Sequence, residues 1–283
     1  MPVFATPEPI VAVVDLAGGT LTVVASDRTD TEVTVTPSDP TRPGDVRAAN
    51  EAVVELHDDT LTVRINRSWR TYSPFGSNRS ADVTIALPSG SRLEGGSLGP
   101  LLATGRLGAC TFTSRAGDVR VDEAHALDLR ASAGAVVVGR ATGPTSVVAS
   151  AGQVRLREVT GDAVVKNTVG STEVGESTGT LRVNGAHGAV TVTRSLGETT
   201  VRTAHSAIRV EEAAGGTLRL ENSSGSIDVG IPEGTAAWVD ATSDKGVVRN
   251  LLTEVPTPDA ADRTVEVCAR SGWGDVVVRR PHA

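Results

Sequence analysis

Val119, Val136, Val154, Thr172, Val190, Ile208 and Ile227 stand 17, 18, 18, 18, 18 and 19 residues apart, and this period constrains the fold more than anything else in the chain. A second series, Leu127, Thr145, Ala163, Leu181, Thr199 and Leu218, keeps the same step out of phase with the first. Each member is followed two residues later by another inward candidate. The first series gains Val121, Val138, Leu156, Val174, Val192, Val210 and Val229, and the second gains Leu129, Val147, Val165, Val183, Val201 and Leu220. Residues i and i+2 share one face of a strand, so each unit carries two short strands with the same face buried. A strand this short cannot bury its face alone and needs the coil above and the coil below. The period therefore predicts an all-β chain, a parallel β-solenoid with about 18-residue coils of two short strands.

The corners agree with that prediction. Gly117, Gly134, Gly152, Gly170, Gly188 and Gly225 each precede an inward residue by two positions, where a turn with positive φ is easiest without a Cβ. Ser206 fills the remaining equivalent place. No proline falls between Pro144 and Pro232, as expected where every backbone N–H feeds a ladder. Outward positions of the first strand series are mixed in charge. Those of the second lean basic, with Arg130, Lys166, Arg182, Arg202 and Arg219 against Asp128 and Glu221. That basic face is a candidate surface for an anionic partner.

Outside the regular array, the organisation falls into three parts. Residues 1–90 read as an N-terminal β region that starts and caps the solenoid, 91–230 as the regular solenoid, and 231–283 as C-terminal strands and cap. Strand patterns occur at Gly19–Ala25, Glu32–Thr36, Thr60–Ile65 and Ala81–Leu87, and a helical turn or two is expected within Asp45–Val54. The last strands, Thr264–Ala269 and Gly274–Arg279, are expected to close the far end, because an open end exposes unpaired edges. The irregular loop 66–80 gathers Trp69, Arg70, Tyr72 and Phe75, residue types enriched at the energetic centres of interfaces, and is the candidate partner-binding loop.

Composition excludes several classes. Aromatics make up 2% of the chain and the net charge is -7, which leaves neither a stacking platform nor a general electrostatic footprint for nucleic acid. No apolar run is long enough to cross a bilayer as a helix. The first ten residues, MPVFATPEPI, lack the basic start and apolar run of a secretion signal, so the expected location is cytoplasmic, with the cell surface not excluded. Cys110 and Cys268 lie at opposite ends of the array and are expected as reduced thiols. The turns SAGQV, VTGDA and SSGSI lack the carboxylates of a calcium-binding roll. His187 and His205, one period apart, would stack on neighbouring coils, but the equivalent places at Val169 and Ser223 offer no further metal ligand. No nucleophile elbow, phosphate-binding loop or dinucleotide fingerprint occurs, and short, even turns build no groove for a glycosidase carboxylate pair. No cofactor and no catalytic residue is assigned.

A recurrent G-x-V-x-V unit appears as GDVRV at Gly117, GQVRL at Gly152, GAVTV at Gly188 and GSIDV at Gly225. With the phrases ALPSG at Ala86, GIPEG at Gly230 and SGWGDVVV at Ser271, it resembles the bacterial putative-adhesin family, a domain of unknown function built of β-strand repeats. The resemblance implies a right-handed, mainly parallel β-solenoid (β-helix) and carries over no catalytic residues. The function expected is that of a non-enzymatic scaffold or binding protein mediating protein–protein interaction. A self-assembling, filament-forming structural protein is the alternative, and a polysaccharide-active enzyme comes third.

Overall fold

The computed structural model describes residues 2–65, 79–253 and 263–281. Every inward position of both strand series is buried, none more than 4% exposed. The fold is an all-β, mainly parallel β-solenoid whose core is the stack of these Val, Leu, Ile, Ala and Thr side chains. Contacts divide the chain into two units, Met1–Arg140 and Ala141–Ala283.

The first unit contains β1 (Val3–Ala5), β2 (Val11–Leu16), β3 (Leu21–Ser26), β4 (Asp30–Pro37), α1 (Pro43–Asn50), β5 (Val53–His57), β6 (Thr60–Ile65), β7 (Ala81–Pro88), β8 (Arg92–Ser97), β9 (Leu101–Ser114) and β10 (Val119–Ala133), with β11 (Val136–Ala141) at its border. β2 pairs in parallel with β6 and β8, and β3 with β7 and β9. The coil that comes first in the chain is thus second in space. Outside it the ladders change direction: β4 lies antiparallel on β7, β1 on β4 and β5 on β6. α1 begins with proline at its first turn, where no N–H is needed, and lies against β4 and β7. Its buried Asp45 accepts a hydrogen bond from the Ser80 backbone N–H at 2.9 Å. The helix ends before Val53 and Val54, which the sequence reading includes in it. These β-branched residues pair with Arg64 and Val63 as part of β5.

The second unit contains β12 (Thr145–Ala151), β13 (Val154–Val159), β14 (Ala163–Val169), β15 (Thr172–Ser177), β16 (Leu181–His187), β17 (Val190–Ser195), β18 (Thr199–His205), β19 (Ile208–Ala213), β20 (Gly216–Ser224), β21 (Ile227–Gly230), β22 (Thr235–Lys245), β23 (Val248–Asn250), β24 (Arg263–Trp273) and β25 (Val276–Arg279). One ladder runs β12–β14–β16–β18–β20–β24–β22 and the other β13–β15–β17–β19–β21–β25–β23, parallel throughout. The sequence reading expects the final strands to close the far end, and they do not. β24 and β25 insert between the coil of β20 and β21 and the coil of β22 and β23. The physical reason lies in apolar bulk. β24 turns Val265, Val267 and Ala269 inward and buries them, whereas the corresponding Ala237, Val239 and Ala241 of β22 are smaller on average and only half-buried.

Two devices hold the corners. Gly188 has φ +132, and a Cβ there would come within 2.2 Å of the Gly170 carbonyl oxygen. In the regular corners a glycine N–H donates to the carbonyl just before the next glycine, Gly152 to Val169 at 2.9 Å and Gly170 to His187 at 2.8 Å. At Ser206 the hydroxyl enters this bond instead: the Gly188 N–H donates to Ser206 Oγ at 2.8 Å, and that hydroxyl donates to the His205 carbonyl at 2.6 Å. Inside several corners, short polar side chains cap turn carbonyls that would otherwise be buried unpaired. Asn167 Nδ2 donates to Gly152 O at 3.1 Å and Gly170 O at 2.9 Å, and Asn222 Nδ2 to Ser206 O at 3.1 Å and Gly225 O at 2.9 Å. Ser271 and Ser243 do the same for Gly225 and Gly274.

Candidate functional site

The 18-residue register lines up outward side chains as strictly as inward ones, and the two outward faces of the second unit use it differently. On β13, β15, β17, β19 and β21 most cations pair across rungs, Arg157 being the exception among the described residues. Arg155 meets Glu173 at 2.8 Å, Arg194 lies 3.6 Å from both Glu176 and Glu212, and Asp228 holds Arg279 at 3.1 Å and Arg209 at 3.8 Å. On β14, β16, β18, β20 and β24 the exposed cations are Lys166, Arg182, Arg202, Arg219 and Arg270. Arg202 has Glu221 at 3.1 Å and Arg270 has Asp240 at 4.0 Å. Lys166, Arg182 and Arg219 stand outside every ion pair among the described residues.

The register also fixes where these cations sit. Lys166 aligns with Asn184, Arg202, Glu221 and Arg270 in one column, and Val164 with Arg182, Thr200, Arg219 and Cys268 in the adjacent one. Each rung from β14 to β24 therefore presents one cation, and the cation changes column at every rung. Arg130, grouped with these residues in the sequence reading, lies on β10 of the first unit and pairs with Asp128 at 3.8 Å. Trp69, Arg70, Tyr72 and Phe75 lie outside the described residues.

Along the exit end of the same strands runs a further column: Val169, His187, His205, Ser224, Trp273 and Lys245. The His187 and His205 rings stack with centroids 5.5 Å apart and planes inclined by 18°. Lys245 Nζ lies 4.0 Å from the centroid of the Trp273 ring, which is 61% exposed. The neighbour of His205 is Ser224, not Ser223, because the step from β18 to β20 is 19 residues. Trp273 and Lys245 escape a periodic reading, since the inserted coil reverses the order of β22 and β24. One local sign marks Trp273: it directly precedes Gly274, as His187 precedes Gly188.

Residues 13–272 match the model of the family described as Toastrack DUF4097. The chain belongs to this family. The repeat units and the ALPSG, GIPEG and SGWGDVVV phrases all overlap the matched span. No curated protein matches the chain. Among solved structures, this Toastrack chain is similar to a putative lipid binding protein of Parabacteroides distasonis, at 12% identity and TM-score 0.48 over 98% of this chain and 95% of that one. It is also similar to a putative adhesin of Parabacteroides merdae, at 11% identity and TM-score 0.43 over 97% and 94% of the two chains. A putative adhesin of Bacteroides fragilis matches at 15% identity and TM-score 0.30 over 98% and 95%.

The two cysteines of this Toastrack chain are not activated thiols. Burial pushes the Cys110 thiol up to about 12. Cys268 is also raised, first by desolvation and then by Glu266 and Asp240. Both are free cysteines, and neither has the electropositive setting of a reactive thiolate. Among the described residues no three His, Cys, Asp or Glu side chains stand together as a metal-ligand set. No described helix is long and apolar enough to cross a membrane.

Proposed function

We propose that the chain is a non-enzymatic β-solenoid scaffold that binds an anionic partner through the outward face of β14, β16, β18 and β20. The observation that carries this reading is a concentration of unmatched cations: among the described residues Lys166, Arg182 and Arg219 are exposed and outside every ion pair on this face, whereas on β13 to β21 of the other face Arg155, Arg194 and Arg209 are matched across rungs and Arg157 alone is not. A cation already matched has little to offer a partner. An unmatched one on a chain of net charge -7 is a local attractor for negative groups. The partner this reading calls for is one that presents anions in a row. Titration with polyglutamate, polyphosphate and a polyuronate tests the reading. At least one is expected to bind more tightly at low salt, and Arg182→Glu with Arg219→Glu should weaken that binding roughly tenfold or more. Binding to none of them, or binding that the double variant leaves intact, overturns it.

A separate observation favours self-assembly as a second reading. β22 pairs on one side only among the described residues, and Val247, Val248 and Leu251 beside it are exposed. Light scattering across a wide concentration range tests this. Growth in particle mass that Val239→Lys abolishes supports it, and a constant monomer mass removes it.

A further inference from the structure

Resting on the reading of the basic face above, we propose that its anionic partner is a linear carboxylate-bearing polysaccharide, a β-1,4-linked polyuronate, lying along the stacking direction of β14, β16, β18, β20 and β24. The argument is one of spacing. Adjacent rungs are about 4.8 Å apart, so cations within one column repeat at about 10 Å. The columns are two residues apart along the strand, roughly 6.6 Å. Lys166 and Arg202 mark one row, Arg182 and Arg219 the other, and the rows are staggered by one rung. In a β-1,4-linked ribbon each ring is turned over relative to the last, so carboxylates leave alternately from its two edges. One sugar ring is close to one rung in length. A ribbon laid along the ladder therefore brings each successive carboxylate to the row that holds that rung's cation.

The floor between the cations suits a sugar chain. It is formed by Val164, Asn184 and Thr200, uncharged side chains that offer hydroxyl and amide partners without bulk. Glu221 is the one carboxylate in the two columns from β14 to β20, and it is engaged with Arg202 in an exposed pair of the kind readily exchanged for another carboxylate. Other polyanions fall out of step. An extended acidic polypeptide places the side chains of one edge about 6.8 Å apart, and duplex DNA brings a charge about every 1.7 Å of its axis.

The test is calorimetric titration of the full chain with a β-1,4-mannuronate hexamer, set beside the neutral mannose hexamer, hexaglutamate and single-stranded DNA. The mannuronate is expected to bind roughly tenfold or more tightly than each of the others. Affinity is expected to rise with oligomer length and level off once the cations of β14 to β24 are occupied. Arg182→Glu with Arg219→Glu is expected to weaken binding roughly tenfold or more, with thermal unfolding unchanged, while Arg155→Glu on the other face leaves binding as it was. Hexaglutamate or DNA binding as tightly as mannuronate, and lost in the double variant, overturns the polyuronate inference and leaves the basic-face reading standing. Failure of every anion to bind overturns both.

Discussion

β22 and β24 run side by side in register, and both come from the aperiodic tail of the chain, yet they bury their inward faces to different depths. Val267 of β24 is fully buried, and its partner Val239 on β22 is half-exposed. β24 has a rung on each side, β20 and β22, whereas β22 has a partner only beneath it among the described residues. Place in the stack decides how much a valine contributes, and the stack accepts rungs out of sequence order when that puts the bulkier apolar set inside.

The contrast is broken most sharply by a charge. Val267→Asp places a carboxylate in a sealed core and is expected to cost more than about 4 kcal/mol, unfolding the coils around it, whereas Val239→Asp should cost no more than about 1 kcal/mol. Urea unfolding of the two variants reads the difference, and equal losses would mean that β22 is as enclosed as β24. The same distinction between inner and outer positions applies to the thiols. Cys110 is sealed, and burial pushes its thiol from the ordinary 9.0 up to about 12, so its protonated form is favoured by folding. Stability from this group is complete below pH 9 and is lost as pH rises toward 12, a fall of roughly 2–3 kcal/mol by pH 11. Cys110→Ala should flatten that decline. Cys268, half-buried on the outward side of β24, should be alkylated in the native protein while Cys110 is not.

A smaller effect is expected at the corner just beneath β24. Asn222→Ala removes a donor to the Ser206 and Gly225 carbonyls, leaving the first with the long bond from Thr203 Oγ1 at 3.4 Å and the second with Ser271 Oγ at 3.1 Å. The expected cost is about 1 kcal/mol, measured by thermal unfolding, with Asn222→Ser recovering part of it. The smallest effect separates the two outward faces. Arg194→Glu sets a third carboxylate between Glu176 and Glu212 and should cost up to about 1 kcal/mol, while Arg182→Glu should leave stability unchanged within about 0.5 kcal/mol.

Much of this was legible in residue spacing. Each of the paired inward series is buried, and Gly117, Gly134, Gly152, Gly170, Gly188 and Gly225 all adopt positive φ. The cations Lys166, Arg182, Arg202 and Arg219 were visible as a biased set, but their alternation between two columns follows from strand register, and so does the matching that leaves three of them without an ion pair among the described residues. Asn167 and Asn222 gave no periodic signal, because a corner accepts alanine, glycine, threonine or serine at the same place. Val53 and Val54 read as helix until β6 supplied an antiparallel partner.

The sequence by itself determined the repeat, its two faces and its glycine corners, because an 18-residue period leaves only one way to hide so many short apolar strands. Tertiary structure decided which coil is outermost, which charges neutralise one another and which stay open. Those outcomes depend on the rungs that become neighbours, and where the chain folds back on itself between β21 and β25, neighbours in space are no longer neighbours in sequence.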